Sequence, residues 1–391
     1  MKRVHLVNLT NIGGAEKILL NFLKFKESGT DIIINIGKKT DPEIVKSFPG
    51  LKVLSSASLF DEGKIRAPKF MRENLLLRKI NKISPDRLII WDYVANFPKR
   101  PKAKKIIFYD HGCSWCFPDN KKTHLFFEKV DGCIAVSYAS KRIMELRFNL
   151  SCPIKVIKND LEGKVVYPEK TFRDFSEKKI ILGTASRLVS LKAIGVSMLT
   201  LKQLIERGIN AELYIAGKGP EESGLRLLAD RLGISSKVKF LGFIDDLSKF
   251  YKNIDLYIST SVAESFGLSC LDAILHHVPV IYPITNGQPE VIENGVTGVG
   301  IIPTVTQREY EEKTGIDINF PHKIYDPTYD RLTTAKVIDE KKCAEEITKL
   351  IEDNRINSLV KNTIDFCTEH SKSGKFNEYI LSLEGGFNHW K

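Results

Sequence analysis

Strand-length apolar runs alternate along the chain with longer segments whose hydrophobic residues fall three and four apart. Residues 4–8 form one such run, followed by a Gly13-Gly14 turn and a helical-period stretch over 15–25. Further runs lie at 32–36, 88–91, 106–109, 132–136 and 154–157, with helical-period segments between several of them. This alternation predicts a parallel sheet wrapped by helices, because parallel strands need a crossover between them. At 167–178, around Pro168, the chain turns polar and a linker is expected. The series then restarts. Strands are predicted at 180–183, 211–216, 238–241, 256–260 and 280–283, and helices over 192–207, 221–232 and 268–277. The expected fold class is α/β, with two consecutive open-sheet domains, 1–168 and 177–370. Residues 304–337 fit neither series and read as an insertion. A last helical stretch covers 341–352, and 371–391 is expected to be a tail that packs back on the first domain. Ligands of open α/β sheets sit at the carboxyl ends of the strands, so a cleft between those ends is the expected site.

Composition narrows the class. With 42% hydrophobic and 27% charged residues the chain is ordinary globular material. No apolar stretch approaches the ~18 residues a membrane span needs. At the start, Asn11, Gly13, Gly14 and Glu16 interrupt any signal-peptide core, which argues against secretion. Seven scattered cysteines suit a reducing cytoplasm. Cys113 and Cys116, with His111 and His124 nearby, could make a redox or zinc pair, but a second ligand pair at conventional spacing is missing. Packed free thiols are the plainer reading.

Charge changes the picture more. The formal charge of +11 is unevenly spread: residues 1–170 carry +14 and the remainder −3. Lys64 to Lys82 holds seven cations interleaved with Ile65, Phe70, Met71, Leu75, Leu76, Leu77 and Ile80. That pattern fits a basic amphipathic helix on an anionic membrane surface, and equally a surface helix with its apolar face in the core. A nucleic-acid groove is a third reading, but no interleaved aromatic motif of known type supports it.

Three segments carry candidate chemistry. In Glu264-Ser265-Phe266-Gly267-Leu268-Ser269-Cys270-Leu271-Asp272, a glycine stands at an expected helix start. It lets a ligand approach the backbone, and the helix N–H groups favour a phosphate there. Glu264 and Asp272, eight apart, can flank a bound sugar and a ribose; the plain alternative is an acidic loop and a surface helix residue. Arg187 and Lys192, five apart between a strand and a helix, can neutralise a diphosphate, or be a solvated loop pair. Gly13-Gly14 at the first strand-to-helix turn is a weaker phosphate or sugar approach.

Taken together, residues 183–192, 213–220, 238–246, 256–279 and 286–298 resemble the retaining glycosyltransferases of family 4, over about 120 residues with order and spacing kept. In the first half the likeness is thinner: Gly13-Gly14-Ala15-Glu16, Asp110-His111-Gly112, Val136-Ser137 and residues 156–159. The resemblance implies the GT-B fold, two Rossmann-like domains facing each other across a cleft, with a nucleotide-sugar donor on the second and an acceptor on the first. It implies that Arg187 and Lys192 hold the donor diphosphate in place of a metal; no Asp-x-Asp motif occurs in the chain. Glu264 would contact the donor sugar, and the backbone of Ser265, Phe266, Gly267 and Leu268 the sugar and distal phosphate. Asp272, where the family usually has Glu, would hold the ribose, and Ile244 would lie beside the base. Gly217 joins the donor-binding set with Gly13 and Gly14. His111 would stand near the reacting carbon. No cofactor, metal or nucleic acid is expected. The implied partners are a nucleotide-sugar, a glycan or lipid-linked acceptor and an anionic inner-leaflet surface. The rivals are a non-catalytic nucleotide-sugar-binding subunit and a nucleic-acid-binding protein. Two departures from the family pattern are Asp160 and Ala193, each at a position usually held by glycine.

Overall fold

The computed structural model describes residues 1–10, 14–25, 31–59, 65–112, 114–158 and 179–370. They fall into two compact units, one up to Lys158 and one from Lys179 on. The expected linker at 167–178, the tail at 371–391 and Gly13 lie outside the described residues.

The first unit is built on seven parallel strands: β1 (Arg3–Val7), β2 (Asp31–Asn35), β3 (Lys52–Ser55), β4 (Arg87–Trp91), β5 (Lys105–Asp110), β6 (Gly132–Ala135) and β7 (Ile154–Val156). Their order is β3-β2-β1-β4-β5-β6-β7. Strands such as β4, fully buried along its length, are near-continuous apolar runs because helices cover both faces of a parallel sheet. One face packs a core that includes Val4, Leu88, Ile90, Phe108, Met144 and Phe148.

The second unit has six parallel strands: β8 (Ile180–Ala185), β9 (Ala211–Ala216), β10 (Val238–Gly242), β11 (Leu256–Ile258), β12 (Val280–Pro283) and β13 (Gly298–Ile301). Their order is β10-β9-β8-β11-β12-β13. Segment 304–337 folds as a helix, Gln307–Thr314, and an antiparallel hairpin of β14 (Ile324–Asp326) and β15 (Arg331–Thr333). A bridge between Val305 and Val337 draws its two ends together. The helix Arg355–His370, which the pattern did not announce, follows.

Of the two readings of the basic segment, the helix follows the one with its apolar face in the core. Lys64 is outside the described residues, and the helix runs only over Arg72–Ile83 after a 3-10 turn, Lys69–Met71. Leu76, Leu77 and Ile80 are buried in the unit, so this apolar face belongs to the core and is closed to a bilayer. Lys79 turns inward and donates to the Ser55 carbonyl at 2.9 Å.

A buried ion pair ties the first two strands together. Arg3 on β1 forks onto Asp31 on β2, with Nε to Oδ1 at 2.5 Å and Nη2 to Oδ2 at 2.7 Å. Burial pushes the Asp31 carboxyl up, but the hydrogen bonds from Arg3 and His5 and the Arg3 charge outweigh it and hold the group well below the usual carboxylate range. Its contribution is therefore complete above the unfolded pKa of ~3.9 and fades as pH falls through the folded value. Asp31→Asn, which leaves a buried guanidinium unpaired, is expected to cost about 3–5 kcal/mol at pH 7 in urea unfolding.

Candidate functional site

In both sheets the strand order reverses between two central strands, β1 and β4 in the first and β8 and β11 in the second. Loops leaving such a pair open a crevice at the carboxyl edge. The second unit's candidate residues stand on those two loops.

After β8 the chain runs over the loop that follows β9. Ser186 N–H donates to Ala216 O at 3.0 Å, and Leu188 N–H to Lys218 O at 3.1 Å. A Cβ on Gly217, whose φ is +130°, would lie 1.8 Å from Ser186 O, and one on Gly219 would lie 2.2 Å from Leu188 O. The two glycines are thus required by a backbone crossing that carries Arg187. Gly217 N–H also donates to Gly242 O at 2.6 Å, which brings the half-buried Ile244 loop beside the same crossing. Arg187 itself is exposed.

Lys192 closes the 3-10 turn Ser190–Lys192, one residue before the helix Ile194–Glu206 is capped by Ala193 at φ +42°. This is the left-handed conformation that glycine adopts without strain, and here alanine holds it. Thr260 Oγ1 donates to Lys192 O at 2.7 Å and Val262 N–H to Leu191 O at 2.8 Å, so the β8 and β11 loops are tied to one another. The Lys192 ammonium donates to the Glu264 carboxylate, both side chains about one-fifth exposed. Two residues 72 apart in sequence thereby form one ion pair.

Gly267, at φ +94°, turns the chain into the helix Leu268–Leu275. Cys270 and Leu271 N–H groups both donate to Gly267 O at 3.0 Å, and the earlier N–H groups of such a helix start have no intrahelical acceptor. Phe266 sends its side chain into the core. Ser265 and Leu268 are half-buried beside it. Asp272 is half-buried a little over one turn into the helix.

Gln288 was not singled out by sequence, and it braces this turn. Fully buried, it accepts through Oε1 from Ser259 Oγ at 2.8 Å and from Cys270 Sγ at 3.7 Å. Next to it Gly287 N–H donates to Glu264 O at 3.1 Å. The hairpin of β14 and β15 is fastened to the same loop. Asn286, at φ +45°, donates through its N–H to Tyr325 O at 3.0 Å and accepts from Tyr325 N–H through Oδ1 at 2.8 Å.

In the first unit His111 follows β5. Its N–H donates to Asp92 Oδ1 at 2.7 Å, and its ring stacks on Trp91 with centroids 5.4 Å apart and planes 13° from parallel. Tyr109 closes on the same ring at 4.3 Å. Burial pushes the imidazole down to about 3, so the ring is neutral across the physiological range. Gly14 opens the helix Gly14–Phe25. Of the Cys113–Cys116 pair, Cys113 lies outside the described residues, and nearby His124 is hydrogen-bonded to Asp119 at 2.7 Å. Among the described residues no three His, Cys, Asp or Glu side chains gather as metal ligands do.

Chemically, the second unit offers an exposed guanidinium, an ammonium–carboxylate pair and a helix N-terminus on adjoining loops, a set suited to a polyanion carrying a hydroxylated group. A family model described as glycosyl transferases group 1 matches residues 168–314, the stretch that contains this whole set. The second unit carries a glycosyl transferases group 1 domain. Relatives of this chain include an uncharacterized glycosyltransferase of Methanocaldococcus jannaschii, 36% identical over 129 residues, which are 32% of this chain and 33% of that protein. The lipopolysaccharide core biosynthesis glycosyltransferase LpsE of Rhizobium meliloti is 24% identical over 231 residues, 56% of this chain and 66% of that protein. The matches thus span one third to two thirds of these curated relatives. Among solved structures, Anabaena Alr3699/HepE in complex with UDP and glucose superposes with a TM-score of 0.71 at 18% identity, covering 99% of this chain and 100% of that one. The fold is that of the GT-B glycosyltransferases.

Gly217→Ala places a side chain in a glycine-only conformation and against Ser186 O. A loss of about 2–5 kcal/mol is expected from the two effects together, measured by urea unfolding. Gly208→Ala, at φ +82° with no atom near its Cβ, carries the conformational cost alone and should lose about 1–2 kcal/mol.

Proposed function

We propose that the chain is a retaining, metal-independent glycosyltransferase. It moves a hexose-type sugar from a nucleotide-diphospho-sugar, a UDP-sugar ahead of a GDP-sugar, to a hydroxyl of a glycan or lipid-linked acceptor in cell-surface polysaccharide or lipopolysaccharide synthesis. The observation that carries this reading is the Lys192–Glu264 pair beside the exposed Arg187 and the Gly267 helix start. Arg187, Lys192 and the N–H groups at Gly267 and Leu268 take the diphosphate. Glu264, its carboxylate oriented by Lys192, takes sugar hydroxyls. Asp272 takes the ribose, one bond shorter in reach than a glutamate, and the backbone at Ile244 takes the base. The donor belongs to the second unit and the acceptor to the first, where neutral His111 serves as a hydrogen-bonding partner to the sugar or the acceptor. UDP and glucose in the Anabaena neighbour, and lipopolysaccharide core synthesis in the Rhizobium relative, favour the donor and the pathway.

The acceptor oxygen attacks the anomeric carbon on the face the diphosphate leaves, the carbon–oxygen bond to phosphate breaks through a short-lived oxocarbenium ion, and the acceptor proton passes to the departing phosphate oxygen. The protein's share is positioning and charge: cations and N–H dipoles already in place where negative charge grows. Arg187→Ala should lower turnover by about 10²–10³ with the fold intact. A thermal-shift panel of UDP, GDP, ADP and CMP, each with and without a sugar, tests the donor class. A ligand at 100 times its Kd adds ~2.7 kcal/mol to the wild type, and should add much less to Arg187→Ala. No stabilisation by any nucleotide would count against the reading.

An anionic bilayer is the proposed surroundings of the acceptor, and the residues that favour it lie ahead of the helix Arg72–Ile83. Leu59 N–H donates to Ile65 O at 3.0 Å across a short antiparallel bridge. Leu59 (42% exposed), Ile65 (61%) and Phe70 (80%) thus stand out beside exposed Arg66 and Lys69. Apolar side chains rimmed by cations suit an anionic interface. Flotation with phosphatidylglycerol-containing vesicles should be strong for the wild type and weak for Phe70→Ser; flotation indifferent to anionic lipid would remove the membrane from the proposal.

A further inference from the structure

We infer that Trp91 is a positioning residue for His111, and that a buried chain reaching back to Arg3 sets its orientation. The inference rests on the reading that His111 meets the substrates. The chain crosses four neighbouring strands, from β2 through β1 and β4 to the end of β5.

Each link has a forced direction. The Trp91 indole nitrogen can only donate, and it lies 3.3 Å from His5 Nδ1, so that nitrogen must accept. The His5 ring proton is then on Nε2, which donates to Asp31 Oδ1 at 3.1 Å. Asp31 is held from the other side by the bidentate Arg3. Both nitrogens of His5 are thereby used in one tautomer, and burial keeps the ring neutral against the pull of Asp31. Arg3, His5, Asp31 and Trp91 are all within 8% of fully buried. A rotation of Trp91 would strand the His5 acceptor away from water, so the indole plane is fixed.

That plane is the surface on which His111 lies, at 13° and 5.4 Å. The next residue along, Asp92, accepts the His111 N–H from a left-handed backbone at φ +46°. The end of β4 therefore holds both the backbone and the ring of a residue that belongs to the end of β5. A tryptophan that merely filled the core would need neither an ion pair nor a histidine of defined tautomer behind it.

The test is made on the full chain with ¹⁵N-labelled histidine, the His111 ring resonances being assigned from their loss in His111→Gln. His5→Leu removes the acceptor for Trp91 at a distance from His111. It should displace the His111 ring shifts, through the changed ring current of Trp91, and lower kcat with little change in donor KM once a donor is in hand. His5→Gln, whose amide can accept from Trp91 and donate to Asp31, should restore both. Trp91→Phe should keep part of the ring-current shift and Trp91→Leu should lose it. His111 shifts left at wild-type values in a folded His5→Leu protein overturn the inference. Full turnover in His111→Ala, with those shifts still moving in His5→Leu, overturns instead the role of His111 and leaves the positioning intact.

Discussion

In a parallel sheet every strand ends on the same edge, and that constraint organises this protein. Chain that leaves β8 and chain that leaves β11 must emerge side by side, although the segments are some seventy residues apart in sequence. The Lys192–Glu264 pair is the direct result, and the hydrogen bonds from Thr260 to Lys192 and from Val262 to Leu191 secure it. Where the chain leaving β8 crosses the loop after β9 the backbone likewise has almost no room, and Gly217 and Gly219 are where the space runs out. Chemistry at this edge is thus a consequence of sheet geometry, with side-chain identity supplying charge.

The same edge in the first unit is furnished differently. It holds a neutral imidazole gripped by two aromatic rings, with its backbone N–H tied to Asp92. Behind it, Arg3, Asp31 and His5 occupy positions that apolar residues could fill at no electrostatic cost. A buried ion pair gains little in stability over such a core, since desolvation offsets most of the attraction. What it does supply is direction, because each donor faces one acceptor. That direction fixes the plane of Trp91, on which the His111 ring stacks.

Segment 304–337 is fastened at the carboxyl edge of the second sheet. Its ends meet at the Val305–Val337 bridge, so it interrupts the second unit without stretching it. Its hairpin is bound to Asn286, beside the Gly287 whose N–H holds the Glu264 carbonyl. The hairpin is thus fastened to the loop that braces the Glu264 backbone.

Much of this was legible in the sequence. Apolar runs and helical periods announced the α/β class and most strands, because burial on both faces demands continuous hydrophobic segments. The motifs around Glu264, Gly267, Arg187 and Lys192 marked residues that the structure brings to one carboxyl edge, because each sits within a few residues of its own strand end. Short or irregular elements such as β3, β13 and the hairpin escaped, since three or four residues carry too little periodicity. The basic segment left two readings open, and the structure divides them: Leu76, Leu77 and Ile80 face the core while Ile65 and Phe70 are exposed, because period alone cannot say which side of a helix is wet. Gln288, Trp91, His5 and Asp31 could not be read at all. Their roles depend on partners 18 to 86 residues away, and such partners become neighbours only when parallel pairing sets the register of the strands. Local sequence therefore determined which elements form and which charges are available. The tertiary structure alone decided which of those charges meet, because meeting is a matter of strand order.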